Sequence, residues 1–331
     1  MIPYLFKKIK LKNSEYSTII KYNIKNQGRK FKMFFVKNAL LLIAGFILLI
    51  KGADFFVDGS SSIAKLLKIP TVIIGLTIVA IGTSAPELSV SITSSLAGKN
   101  ALSISNVIGS NIFNLLMVIG VSAAIKPMKS SRNIMRKEFP MMIGVTVIMV
   151  VMLFVCKAIK GGYGITRTEG IILFLLFIAF MVYMVVSAIK NKTEATEEIK
   201  NRGLLVSIIF VVGGIAAIKF GGDFVVDSAS KIAIKFGMTE TLVGLTIVAL
   251  GTSLPELVTS IVAIKKGEND LALGNVVGSN MCNVLLILGV AGSISAIKLS
   301  DLAGNEAIID GIFMVVISVI TFIFARNKEE V

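Results

Sequence analysis

Histidine and tryptophan are absent from the 331 residues, and only two cysteines and six prolines occur. Without histidine there is no imidazole base for a nucleophilic triad and no Cys/His zinc site. Cys156 and Cys282 both lie inside apolar segments, so no disulfide framework can be drawn. Charge is scarce as well: 16% of residues are charged against 55% hydrophobic. A soluble domain of this length needs more polar surface than that. The net charge of +14 invites nucleic acid as a partner. In a membrane protein, basic residues in cytoplasmic loops account for such an excess, and nucleic acid is set aside.

What the chain has instead is apolar length. Stretches such as "ALLLIAGFILLI", "MMIGVTVIMVVMLFV" and "IILFLLFIAFMVYMVV" recur at intervals that suit helices of about twenty residues, enough to cross a bilayer core. Repeated spans exclude a lone signal peptide. The expectation is an all-α polytopic protein of the cell membrane, with the lipid bilayer as its surroundings and no enzymatic chemistry. Residues 1–38 read as a basic tail, in which Met33 offers an alternative start. Residues 39–189 read as a first transmembrane unit, with spans near 39–57, 72–96, 101–125, 140–156 and 170–188. The polar stretch "KNKTEATEEIKNRG" (190–203) is a connector. Residues 204–331 form a second unit, with spans near 204–226, 242–264, 271–295 and 307–324. The architecture is therefore five spans plus four or five, the fifth span of the first unit having no counterpart before the chain stops.

The two units are copies. "GLTIVAIGTSAPELSVSITSSLAGKNALSISNVIGSNIFNLLMVIGV" (75–121) aligns without a gap on "GLTIVALGTSLPELVTSIVAIKKGENDLALGNVVGSNMCNVLLILGV" (244–290). The same offset pairs "GADFFVD" (52–58) with "GGDFVVD" (221–227). Five spans in the first unit is an odd number, so the second enters the membrane from the other side. Inverted repeats of this kind place ion sites at the midplane, where Gly/Pro-interrupted spans meet. Here the interrupted pair is Gly82–Glu87 and Gly251–Glu256.

The interruption has chemical consequences. Pro86 and Pro255 have no N–H, so carbonyls one turn earlier lose helical partners. Irregular backbone at membrane depth is tolerated where it is buried in protein or lines a wet cavity. A cation would satisfy the freed carbonyls around Ala80–Thr83 and Ala249–Thr252. Thr83, Ser84 and Glu87 share roughly one helical face, as do Thr252, Ser253 and Glu256. A glutamate at that depth costs at least ~2.5 kcal/mol on insertion scales and marks an ion path by default. A plain proline kink with an interfacial glutamate is the simpler alternative, and the recurrence of the whole set argues against it.

The following helix carries "GSNIFN" and "GSNMCN". Ser110 and Asn114 are four apart, hence on one face, as are Ser279 and Asn283; these are further candidate ligands. Asn106 and Asn275 sit about a turn earlier. Small polar residues also hold transmembrane helices together, and that is the role expected of Asn111 and Asn280, which lie off the ligand face. Every candidate donor is oxygen, which suits Ca²⁺ and Na⁺ rather than thiolate- or imidazole-seeking metals. Asp54, Asp58, Asp223 and Asp227 read as interface or capping charges, and Lys51 and Lys219 as snorkelling to the interface.

At these residues the sequence resembles the sodium/calcium exchanger superfamily of cation/Ca²⁺ antiporters. "GTSAPE…GSNIFN" and "GTSLPE…GSNMCN" are similar to its two alpha-repeats, and the likeness runs from about residue 39 onward. The resemblance implies ten helices and extrusion of Ca²⁺ against entering Na⁺ by alternating access, three Na⁺ for one Ca²⁺, with no cofactor. It implies ligands at Glu87, Glu256, Thr83, Ser84, Thr252, Ser253, Ser110, Asn114, Ser279 and Asn283, and at the carbonyls of Ala80 and Ala249. Many family members carry an aspartate at one position matching Asn114 or Asn283; here both are asparagine. A proton-coupled Ca²⁺/cation antiporter is the nearest alternative, although that branch places its glutamate in a "GN-x-x-E" context. A passive cation channel is a more distant one.

Loops on the connector's side of the membrane hold more Lys and Arg, including Lys65, Lys126, Arg136, Lys190 and Lys265, than the opposite loops. The positive-inside rule puts the connector in the cytoplasm and the start of the first span outside. The basic tail argues the reverse and carries less weight.

Overall fold

The computed structural model describes residues 2–98, 101–128, 134–190 and 203–327. The connector at 190–203 lies almost wholly outside these described residues. A continuous helix runs from Ile2 to Leu67, and its stretch Phe31–Leu67 (α1) is long and apolar enough to cross a membrane. The helices after it are α2 (Thr71–Thr83), α3 (Ala85–Leu96), α4 (Leu102–Ile125), α5 (Ile134–Cys156) and α6 (Arg167–Lys190). The second unit supplies α7 (Leu204–Lys235), α8 (Thr246–Thr252), α9 (Leu254–Lys265), α10 (Asn269–Ile294) and α11 (Asp301–Arg326). Seven of these helices pass as single spans; α2 with α3 and α8 with α9 are bent pairs of 47° and 46°. Counting each bent pair as one crossing gives nine among the described residues. The chain is a multi-pass integral membrane protein.

Both bends fall at the predicted place. Ser84 ends α2, and Pro86 sits in the first turn of α3, where a missing N–H costs nothing. Ser253 and Pro255 do the same between α8 and α9. Two features were not expected. A two-stranded antiparallel ribbon joins β1 (Tyr163–Ile165) to β2 (Ile297–Leu299), with Gly164 opposite Lys298. In addition, π-helical turns occupy equivalent positions in the two units: Gly75–Val79 matches Gly244–Val248, and Asn114–Val118 matches Asn283–Ile287.

Equivalent helices run antiparallel, as inversion demands. α1 and α7 pack along a stripe of small residues spaced seven apart. A Cβ on Gly45 would lie 2.8 Å from the Gly221 carbonyl oxygen, one on Gly52 3.0 Å from that of Gly214, and one on Gly59 2.8 Å from that of Ser207. Small residues at a membrane helix interface let backbones approach closely, and dispersion there replaces the hydrophobic drive lipid cannot supply. Gly52→Val is therefore expected to lower thermal stability in detergent by roughly 1–3 kcal/mol of overpacking. Gly213→Val, which meets open space, should be nearly silent in the same melting experiment.

The pseudo-symmetry is broken around α10. α2 closes onto α10: a Cβ on Gly75 would meet the Leu271 carbonyl oxygen at 2.7 Å, and one on Gly278 would meet Ala80 Cβ at 2.7 Å. The matching positions, Gly244 and Gly109, have nothing within 4 Å. On α10, 94% of the apolar window is buried, against 44% on α4. The contact of α2 with α10 is close, and the equivalent positions Gly244 and Gly109 meet open space. Separately, α6 covers α10, with Gly289 against Phe174, whereas Gly120, its counterpart on α4, has nothing within 4 Å.

Candidate functional site

The bends bring the two glutamate-bearing turns together at the centre of the bundle. Glu87 and Glu256 are both 0% exposed. Each is tied to the opposite repeat: Ser84 Oγ donates to Glu256 Oε1 at 3.1 Å, and Ser253 Oγ to Glu87 Oε1 at 3.2 Å. Ser253 Oγ also lies 3.2 Å from Ser110 Oγ, and Thr83 Oγ1 lies 3.3 Å from Ser279 Oγ. Thr83, Ser84, Ser110, Asn114, Ser253, Ser279 and Asn283 are all buried. Thr83, Ser84, Ser110, Ser253 and Ser279 thus make side-chain contacts between the repeats beside the two glutamates.

Four buried oxygens on these residues have no hydrogen-bond donor: Glu87 Oε2, Glu256 Oε2, Asn114 Oδ1 and Asn283 Oδ1. Among the described residues no lysine or arginine forms an ion pair with either glutamate. A buried carboxylate lacking both counter-charge and donors is expensive. The missing partner is therefore a cation or protons. Every candidate donor side chain here is an oxygen donor: carboxylate, amide or hydroxyl. Two carboxylates, two amide oxygens and surrounding hydroxyls can hold a hard cation.

Some predicted donors differ in availability. The Ala80 carbonyl already accepts the Ser84 N–H at 3.0 Å and the Thr83 hydroxyl at 3.3 Å. Ala249, its counterpart, is exposed and its carbonyl accepts Thr252 Oγ1 at 3.2 Å. Thr83 is fully buried and reaches Asn275 Oδ1 at 3.0 Å, whereas Thr252 is only half-buried. The cause is a cavity of about 450 Å³ between α3, α7, α8 and α9, lined by Pro86, Ser89, Asp223, Asp227, Thr252 and Pro255. It reaches the glutamate-bearing turn of the second repeat at Thr252. At the opposite end, α1 packs against α9, and Lys266 Nζ seals the contact. It donates to Asp58 Oδ1 at 2.6 Å and to the Asp54 carbonyl at 2.9 Å. The position matching Lys266 in the first repeat is Ala97, and among the described residues the open end shows no such pair.

Sequence reasoning missed several supporting residues. Asn106 Nδ2 donates to the Glu87 carbonyl and to Ser91 Oγ, and Asn275 Nδ2 to the Glu256 carbonyl and Ser260 Oγ. These bonds fix the backbone of each glutamate. Their signal was present, since Asn106, Ser91, Asn275 and Ser260 repeat in both halves. The aspartates read as interface charges are paired: Lys51 with Asp54 at 3.7 Å, Lys219 with Asp223 at 2.8 Å, and Lys231 with Asp227 at 2.6 Å.

Two inverted units, broken at matching points around one shared acidic cluster, define a membrane carrier of the inverted-repeat class. Comparison with known proteins narrows this. The family described as "Sodium/calcium exchanger protein" matches residues 37–186 and 206–329. The sodium/calcium exchanger MaX1 of Methanosarcina acetivorans is 31% identical over 327 residues, covering 89% of this chain and 93% of that protein. The inner membrane protein YrbG of Escherichia coli (strain K12) is 32% identical over 289 residues, covering 85% and 86%. The solved sodium/calcium exchanger from Methanococcus jannaschii superposes with a TM-score of 0.75 at 29% identity, covering 89% of this chain and 92% of that one. The chain belongs to the sodium/calcium exchanger family, and is a cation/Ca²⁺ antiporter rather than an enzyme; the ions are cargo, not cofactors.

Proposed function

We propose that this protein exchanges Ca²⁺ for Na⁺ by alternating access. Its ligands are Glu87, Glu256, Thr83, Ser84, Thr252, Ser253, Ser110, Asn114, Ser279 and Asn283, with the carbonyls of Ala80 and Ala249. The observation that carries the reading is the set of four buried, donor-free oxygens shared by the two repeats. Two carboxylates neutralise one Ca²⁺, and the same hard oxygens accept Na⁺, an ion of similar radius. MaX1, which matches most of this chain, carries the name of a sodium/calcium exchanger. With the connector cytoplasmic, the cavity at Thr252 opens to the exterior and the Lys266 seal is cytoplasmic.

Uptake of Ca²⁺ into proteoliposomes loaded with Na⁺, K⁺ or buffer alone tests the reading, each with and without a pH gradient. Uptake driven only by the outward Na⁺ gradient supports it. Uptake driven by protons without Na⁺ assigns the unpaired glutamates to proton coupling, and flux without any counter-ion marks a channel.

The one-sided seal yields a prediction about the conformational balance. An ion pair about a third exposed is worth on the order of 1 kcal/mol at most. Lys266→Ala should shift the population away from the outward-open form by up to roughly fivefold. A single cysteine at Ser89, in the cavity wall, reports this through slower reaction with an impermeant maleimide. Unchanged labelling means the pair does not hold the closed end.

A further inference from the structure

Asn111 and Asn280, expected only to hold helices together, make a more specific arrangement. Both are buried, at 0% and 2% exposure. Asn111 Nδ2 donates to the Asn280 backbone carbonyl at 3.3 Å, and Asn111 Oδ1 accepts Asn283 Nδ2 at 2.8 Å. The other half repeats this: Asn280 Nδ2 donates to the Asn111 carbonyl at 3.5 Å, and Asn280 Oδ1 accepts Asn114 Nδ2 at 3.0 Å. The bonds run crosswise between repeats rather than within each "GSN-x-x-N" motif.

The chain of donors and acceptors has one consistent solution. A backbone carbonyl can only accept, so Asn111 must turn its NH₂ to Asn280 and its oxygen to position 283. Asn283 must then donate with its own NH₂, which leaves its Oδ1 for the site. The mirror argument fixes Asn114. Both of those oxygens are buried and have no donor. Without such a frame an amide can turn its NH₂ toward the ion, which replaces a ligand by a repulsive donor.

We propose that Asn111 and Asn280 are positioning residues that lock the amides of Asn283 and Asn114 with oxygen toward the ion, and that they select a neutral amide over a carboxylate at those two positions. A carboxylate at 283 would set oxygen against Asn111 Oδ1. Turning Asn111 over to receive it would set that oxygen against the Asn280 carbonyl instead. One acceptor–acceptor contact survives either way. The frame thus restricts the charge of the site to its two glutamates.

The inference rests on Asn114 and Asn283 being ligands, and a double-mutant cycle separates the two claims. Ca²⁺ uptake is measured in proteoliposomes for the parent, Asn111→Leu, Asn283→Ala and the double variant, with thermal unfolding recorded alongside. Loss of an outer-shell partner costs roughly 10–100-fold in metal affinity. Asn111→Leu should therefore raise the half-saturating Ca²⁺ concentration by roughly tenfold or more, with a smaller change in maximal rate. In the Asn283→Ala background the same change should add nothing. Independent, additive effects overturn the positioning role, and so does an Asn111→Leu variant with parental affinity. If Asn283→Ala alone keeps parental affinity, the ligand reading itself fails. Should Asn111→Leu not fold, the mirror cycle of Asn280→Ser with Asn114→Ala carries the same expectations and the same refutations.

Discussion

Replacing Glu87 or Glu256 by glutamine is expected to reduce Ca²⁺ uptake by at least about a hundredfold while leaving a folded protein. The magnitude follows from the cost of leaving one buried charge without its partner, ~3–5 kcal/mol, at 1.4 kcal/mol per tenfold. Glutamine preserves the acceptor that takes the serine hydroxyl from the other repeat. It replaces the donor-free Oε2 by an NH₂ that a cation repels. A site left with one carboxylate no longer neutralises a divalent ion.

The same substitutions should move ion-free stability the other way. Two carboxylates sit fully buried without counter-charge, and removing one relieves part of that penalty, a trade expected where function is held at the expense of stability. Thermal unfolding in detergent without Ca²⁺ should therefore rise or stay level in Glu87→Gln and Glu256→Gln. Added Ca²⁺ should stabilise the parent through binding to the folded state and leave both variants unmoved. A variant that melts early and transports poorly reports misfolding; a variant that transports normally shows that the site lies elsewhere.

Much of this was legible in the residues. The duplication marked the candidate site, because Glu, Pro, Thr and Ser recur together at matching places, and the prolines located both bends. Other features were beyond that kind of reading. The π-helical turns that begin at Asn114 and Asn283 leave no compositional mark, since apolar residues fill them as they fill an ordinary turn. Two nearly identical motifs cannot show which one faces an open cavity; that depends on how α7 and α1 lie against their partners. Lys266 is a basic residue near a helix end until the fold brings Asp54 and Asp58 to it. Asn111 and Asn280 do join helices as expected, but their crosswise bonds to Asn283 and Asn114 depend on which neighbouring atoms are backbone carbonyls.

Transport should respond steeply to voltage. Three Na⁺ moving out against one Ca²⁺ moving in carries one net positive charge outward per cycle. That charge is worth ~2.3 kcal/mol per 100 mV, or roughly fiftyfold in the Ca²⁺ ratio reached at equilibrium. In Na⁺-loaded proteoliposomes taking up Ca²⁺, positive charge leaves the lumen, so an inside-positive potential should raise accumulation and an inside-negative one should lower it by the same factor. A potassium gradient with ionophore sets the potential in either direction, and replacing it by a proton gradient with a protonophore removes any dependence on potassium itself. The site bears on the outcome through its charge. Glu87 and Glu256 are its carboxylates, and the neutral amides Asn114 and Asn283 add no charge, so Ca²⁺ leaves it neutral and a third Na⁺ leaves it positive by one. On the proposed three-for-one exchange, that excess positive charge, carried through the membrane in the Na⁺-loaded form, is what the field would act on. Accumulation that ignores voltage would mean two Na⁺ or two H⁺ per Ca²⁺, matched to two carboxylates, and would overturn the three-for-one exchange while leaving the site intact.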